Sequence, residues 1–356
     1  MPPTPADDAT VKMRPVNARP VSSALNPPPI QPRSPKSFVL PIAAGAGTLV
    51  VAAVAGWLAL SPGMAPPPSA LSRPAAPSAS VASVPVAPQF VVRTATEAEI
   101  LAHEATALTI FRFAPNPKIL VLDFPDLRQQ GLMLNRAAAL MEKKGLPRDR
   151  VLTDKELDEA IAAHGDTMES YYYGHDYATA DLTRFFRLAD AQGLKLRPEE
   201  ELLRALLKQE GALALDAGMA LISIPRAGSA EGVDLGLRTG ILRHELSHGE
   251  FFTNPAYVAY VRRFWAEGLD ATFREAFRRY LVGQDYDVDL GDLLINEMQA
   301  YLMHTTDPRL FSAQVLGVSP ERFAVMQAQF LLHMPAGWLR ECTAGPGVTV
   351  TGIAKP

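Results

Sequence analysis

A chain of 356 residues with 48% hydrophobic and 20% charged residues has ample material for a core, and its length alone admits two average domains. A net charge of −4 leaves no basic footprint, which argues against nucleic acid as a partner. The single Cys342 excludes an intrachain disulfide and a cysteine-built zinc cage.

Residues 1–37 are rich in Pro, Ala, Ser and Asn without apolar periodicity, and read as a disordered tail. Residues 38–60 then run 23 positions without a charge. As a helix they span about 34 Å, enough to cross a hydrocarbon core of about 30 Å. A core helix fits poorly between disordered flanks, and a signal peptide would start earlier and be shorter. The reading is a single transmembrane helix. Lys12, Arg14, Arg19, Arg33 and Lys36 precede it and only Arg73 follows closely, so the tail is expected in the cytoplasm and the rest outside, in a periplasm if the host is Gram-negative. Residues 61–88 form a Pro/Ala/Ser spacer that holds the folded part off the bilayer.

The folded domain is expected over residues 89–348, with a short tail at 349–356. Helical signals dominate, giving an α+β, mainly helical domain of about ten helices with a small sheet. Thr96 with Glu99 and Thr153 with Glu156 have capping-box spacing, opening helices to Leu108 and Ala163. Asp126 starts a helix running to Lys144. Residues 181–192 and 198–209 are amphipathic. Two apolar runs, 118–124 and 218–225, read as strands. Asn254–Pro255 opens a helix to Glu267, Thr272 with Glu275 caps the next, and helices follow over residues 290–304 and 320–333.

The chemistry concentrates in residues 236–252, GLRTGILRHELSHGEFF, which follow the second strand. On a helix, His244 and His248 lie one turn apart and can reach one metal ion, while Glu245 sits at the rim where a carboxylate can act as base. A third ligand must come from elsewhere. Phe251 and Asn254 stand where a metzincin needs Gly and His, so that class is excluded. Glu297 lies in an apolar helix, DLLINEMQAYLMHT, where a lone carboxylate is costly unless a cation compensates it.

H-E-x-x-H on one helix and N-E-x-x-A on a later one resembles the gluzincin group of zinc metallopeptidases, typified by thermolysin. The resemblance covers the two motif helices and the strand before them. It implies a zincin-like fold and one catalytic Zn2+ held by His244, His248 and Glu297. It also implies Glu245 as general base, a polypeptide substrate, and residues 218–225 as the edge strand along which that peptide lies. Tyr301 and His304, four and seven residues after Glu297, project from nearly the same face and are candidate oxyanion donors. The cluster YYYGHDY at residues 171–177 is a further candidate, to line a cleft or to donate. Asp285, Asp287, Asp289 and Asp292 lack the closing Glu of a calcium loop and read as a solvated, helix-capping segment. His103, His164 and His333 show no partner spacing. The resulting expectation is a membrane-anchored zinc metallopeptidase. A non-catalytic zincin-fold binding protein of the envelope and a zinc amidase of cell-wall peptide are the alternatives.

Overall fold

The computed structural model describes residues 88–214, 216–230 and 232–344. The expected tail, membrane helix and C-terminal tail, with nearly all of the spacer, lie outside these residues. Among the described residues no helix is long and apolar enough to cross a membrane.

The fold is α+β. Strand β1 (Val92–Ala95) leads to α1 (Glu97–Ala102), then to β2 (Thr109–Phe113) and β3 (Ile119–Phe124). Helices α2 (Leu127–Met141) and α3 (Asp154–Ala163) precede β4 (His175–Ala178), and α4 (Thr179–Ala191) and α5 (Pro198–Gln209) precede β5 (Ala220–Pro225). The second half is helical: α6 (Leu235–Thr253), α7 (Pro255–Arg263), α8 (Ala271–Gly283), α9 (Gly291–Gln299), α10 (Ala313–Leu316), α11 (Pro320–His333) and α12 (Trp338–Ala344). The five strands make one mixed sheet in the order β1-β2-β3-β5-β4.

β3 and β5 are buried on both faces along their whole length, which is why each reads as an unbroken apolar run. Their side chains alternate. Ile119, Val121, Ile222 and Ile224 pack with Leu237, Ile241 and Leu242 of α6, whereas Leu122, Phe124 and Leu221 pack with Leu134, Phe185 and Leu203 of α2, α4 and α5. β5 lies between β3, to which it is parallel, and β4, to which it is antiparallel, so it is an interior strand and not the expected edge. The edge beside it is β4. A strand covered on both faces and both sides offers no free main chain to a peptide.

Several helix ends depart from expectation for local reasons. Both capping boxes form, but α1 stops at Ala102, where His103 turns extended and its Nδ1 meets Asp123 Oδ2 at 2.7 Å. α8 is capped by Asp270, which accepts from the Phe273 amide, and not by Thr272. α2 ends three residues early because residues 142–144 leave the helix to bridge the chain at 285–287. In that loop Asp287 pairs with Arg148, Asp292 in the first turn of α9 pairs with Arg262, and the N-cap position before α9, Leu290, provides no side-chain cap.

α6 is the central element. Asp234 caps it by accepting from the Leu237 amide at 2.8 Å, and nearly every later residue is buried. Arg238, 1% exposed, donates to both oxygens of the buried Asp123 at 2.8 and 2.9 Å and to the Pro225 and Ile100 carbonyls. That fork fastens the helix to the ends of β3 and β5. Immediately after the motif, Gly249 lets α6 approach β3, since a Cβ there would stand 2.8 Å from Ile119 Cδ1.

Candidate metal centre

His244 and His248 face one another across one turn of α6, with their Nε2 atoms 3.0 Å apart. α9 carries Glu297 to them, Oε2 lying 3.7 Å from His244 Nε2 and Oε1 3.8 Å from His248 Nε2. Zinc bonds of about 2.0–2.1 Å place tetrahedral ligand atoms about 3.3 Å apart, so the three separations bracket the distance one shared ion requires. Glu297 belongs to an element adjoining α6 through a buried amide network. Gln299 donates to Ser247 at 3.1 Å and to Asn296 at 3.2 Å, and accepts from Tyr257 at 2.7 Å.

Hydrogen bonding sets the ring state of His244. Its Nδ1 lies 2.7 Å from Thr305 Oγ1, and that hydroxyl donates its one proton to the Ala300 carbonyl at 3.0 Å. Thr305 therefore accepts from Nδ1–H, and the lone pair of His244 is left on Nε2, facing Glu297 and His248. Burial keeps both rings neutral: it pushes His244 well down, helped by His248, and His248 down to about 4.

The acids respond in the opposite sense. Burial, then Asp176, raises Glu245 and Glu297 well above the carboxylate range. Burial also raises Asp176 to about 7 and, with Asp176 beside it, Glu142 to about 8. Oε2 of Glu245 and Oε2 of Glu297 are buried without a hydrogen-bond partner. Two neutral imidazoles, several crowded carboxylates and orphaned acceptor atoms are the donor set a divalent cation needs. Lys143, whose charge acts on Glu297 and Glu142, is held over the Tyr172 and Tyr171 rings at 4.4 and 4.7 Å from their centroids.

The other expected residues divide. Tyr301 stacks edge-on against His244, ring centroids 4.7 Å apart, and walls a small cavity with Glu245, Gly174, Tyr172 and Tyr286. His304 is not in that cavity. It is buried between Tyr257, whose hydroxyl is 3.4 Å from Nε2, and Thr343, 3.3 Å from Nδ1. The cause is a π-helical turn over Ala300–His304, closed by a Thr305 amide to Ala300 carbonyl bond. Each residue of such a turn advances less than in an α-helix, so seven positions no longer return to the face of Glu297.

The tyrosine cluster also divides. Tyr171 and Tyr177 are core side chains, whereas Gly174 and Asp176 reach the site. A Cβ on Gly174 would stand 2.7 Å from Cδ of Glu245, so the backbone packs directly against that side chain. Glu142, Tyr286 and Thr305 carried no signal in the sequence, whereas Asp176 was legible only as part of the 171–177 cluster that could line a cleft. Asp176 alone had a usable signal, as the one acid between large side chains in HDYA, whose alternation turns it toward α6. Tyr286 stands beside the Glu297 carboxylate only because the Lys143–Tyr286 bridge joins distant segments. His103, which showed no partner spacing, belongs to the Arg238–Asp123 cluster. No family model, curated protein or solved structure matches this chain.

Proposed function

We propose that the chain is a zinc-dependent peptide hydrolase, with His244, His248 and Glu297 as the residues that hold the ion. The observation that carries this reading is the spacing of three buried ligand atoms on α6 and α9, with the Glu245 carboxylate opening into the adjoining cavity. A zinc ion bound there would supply Lewis acidity, activating a water and polarising an amide carbonyl.

Glu245 accepts the proton of the attacking water and returns it to the departing amine. Its crowding by other carboxylates suits that exchange, because a raised carboxyl holds a proton as readily as it releases one. Gly174 fixes the rotamer of the base from above. Tyr301 and Tyr286, which line the cavity together with Tyr172 and Tyr173, are candidate donors to a developing oxyanion, and His304 has no part in it. β4 takes the role first expected of β5: its outer side pairs with no strand among the described residues, and a peptide laid along it would run past Glu245. The gluzincin likeness and an anchored, outward-facing domain agree with this reading and rest on sequence.

Elemental analysis of the purified chain tests it. About one zinc per chain is expected, and Glu245→Gln should keep that zinc while losing hydrolysis of a denatured protein substrate. A metal-free wild type, or a Glu245→Gln variant of full activity, would sink the assignment.

A further inference from the structure

We propose that Asp176, Glu245 and His248 form a second seat for a divalent cation, overlapping the first and excluding it. The inference rests on the metal centre above and extends it. One ligand atom from each of these residues lies within 4.8 Å of the other two, the same criterion that His244, His248 and Glu297 meet. Asp176 Oδ2 stands 3.7 Å from His248 Nε2, as close as Glu297 does on the other side.

The fold delivers Asp176 there. Antiparallel pairing of β4 with β5 sets Asp176 opposite Ile222, and Ile222 packs on the α6 face of the sheet. His175 and Tyr177, its neighbours, point to the other face, where they bond Ser223, Asn135 and the Leu134 carbonyl. Glu245 supplies independent evidence of a ligand. It is 4% exposed, its Oε2 has no hydrogen-bond partner, and the Gly174 backbone holds it against the site.

The two seats share His248 Nε2, which has a single lone pair and binds one ion at a time. Occupancy is therefore alternative. The first seat offers two imidazoles and one carboxylate, a set suited to zinc; the second offers one imidazole and two carboxylates, a harder set suited to Mn2+. An ion in the second seat takes the Glu245 carboxylate as ligand and withdraws it as base. The second seat is thus a resting position, and catalysis requires the first.

Titration of metal-free, full-length protein with Zn2+ and with Mn2+ by calorimetry tests this without reference to activity. Wild type should bind one ion in total. His244→Ala removes a ligand of the first seat alone: it should lose zinc affinity by about a hundredfold or more and still bind one Mn2+, weakened by no more than about tenfold. Glu297→Gln, on a different helix, should behave likewise, which guards against one misfolded variant. Asp176→Asn alone should keep zinc, and His244→Ala with Asp176→Asn should bind neither ion. The second seat is overturned if folded His244→Ala and Glu297→Gln bind no Mn2+, if the double variant binds Mn2+ as well as His244→Ala does, or if Asp176→Asn loses zinc. A wild type that binds neither ion instead overturns the metal centre itself.

Discussion

The Thr305 hydroxyl accepts the Nδ1 proton of His244 at 2.7 Å while donating to the Ala300 carbonyl, so the first turn after α9 decides which nitrogen of a helix α6 histidine is free. Thr305→Val keeps the shape and removes the acceptor. Zinc affinity is expected to fall about ten- to a hundredfold, the usual cost of losing such a partner, whereas Thr305→Ser should restore it. Competition with a chelating dye measures both, and equal affinity in Val and Ser variants would leave Thr305 without this role.

Arg238 and Asp123 form a buried fork between α6 and β3, with both side chains at 1% exposure or less. Removing one charge leaves the other uncompensated in the core, at a cost of about 3–5 kcal/mol. Asp123→Asn should therefore lower the denaturant midpoint strongly, and Arg238→Met together with Asp123→Leu should recover much of it. His103 would lose its partner in both cases, so His103→Gln serves as the control. A single variant as stable as wild type would show that the fork contributes nothing net.

The residues that could be read from sequence are those whose signal is local. His244, His248 and Glu297 follow from helical spacing and from the cost of an acid in an apolar stretch; β3 and β5 follow from two-faced burial, and Thr96 and Thr153 from their caps. What escaped depends on pairing across the chain. β4 is four residues long and half-buried, so its run is too short to stand out, and Asp176 was legible only as a member of the 171–177 cluster, without its place beside His248. The reach of His304 was misjudged because Ala300–His304 winds as a π turn, which no period in LINEMQAYLMH announces. Glu142 and Tyr286 meet the site through one bridge between an interrupted helix and a loop. β5 carried the right residues but the wrong place in the sheet, because apolar content reports burial and not strand order.

Gly174 brings its backbone close against the proposed base. Gly174→Ala would drive a methyl into the Glu245 carboxylate, 2.7 Å from Cδ and 2.9 Å from Cγ, and Glu245 must rotate away. Hydrolysis is expected to fall by at least about tenfold, since a misplaced base loses most of its contribution, with zinc content unchanged. Loss of zinc in step with activity would place Gly174 in folding and not in positioning.

The crowded acids predict how the metal-free protein responds to pH. Burial raises Asp176 from 3.8 to about 7 and Glu142 from 4.5 to about 8. A raised carboxyl stays protonated in the fold where the unfolded chain has already ionised, so its contribution is full below pH about 4 and is lost as pH climbs through the folded value. His244 and His248 are lowered, so their contribution is present above 6.5 and lost as pH falls below it. Between pH 6.5 and 8 the histidines are therefore flat, and the carboxylates alone should make metal-free stability decline. Zinc should flatten that decline, because the ion compensates the charges as they form, and Asp176→Asn should reduce it without metal. Denaturant unfolding at half-unit steps, with and without a chelator, reads all three curves. Metal-free stability that rises or stays level from pH 6.5 to 8 would mean that these carboxylates ionise as freely in the fold as in the unfolded chain, and the electrostatic case for a cation at this site would fall with it.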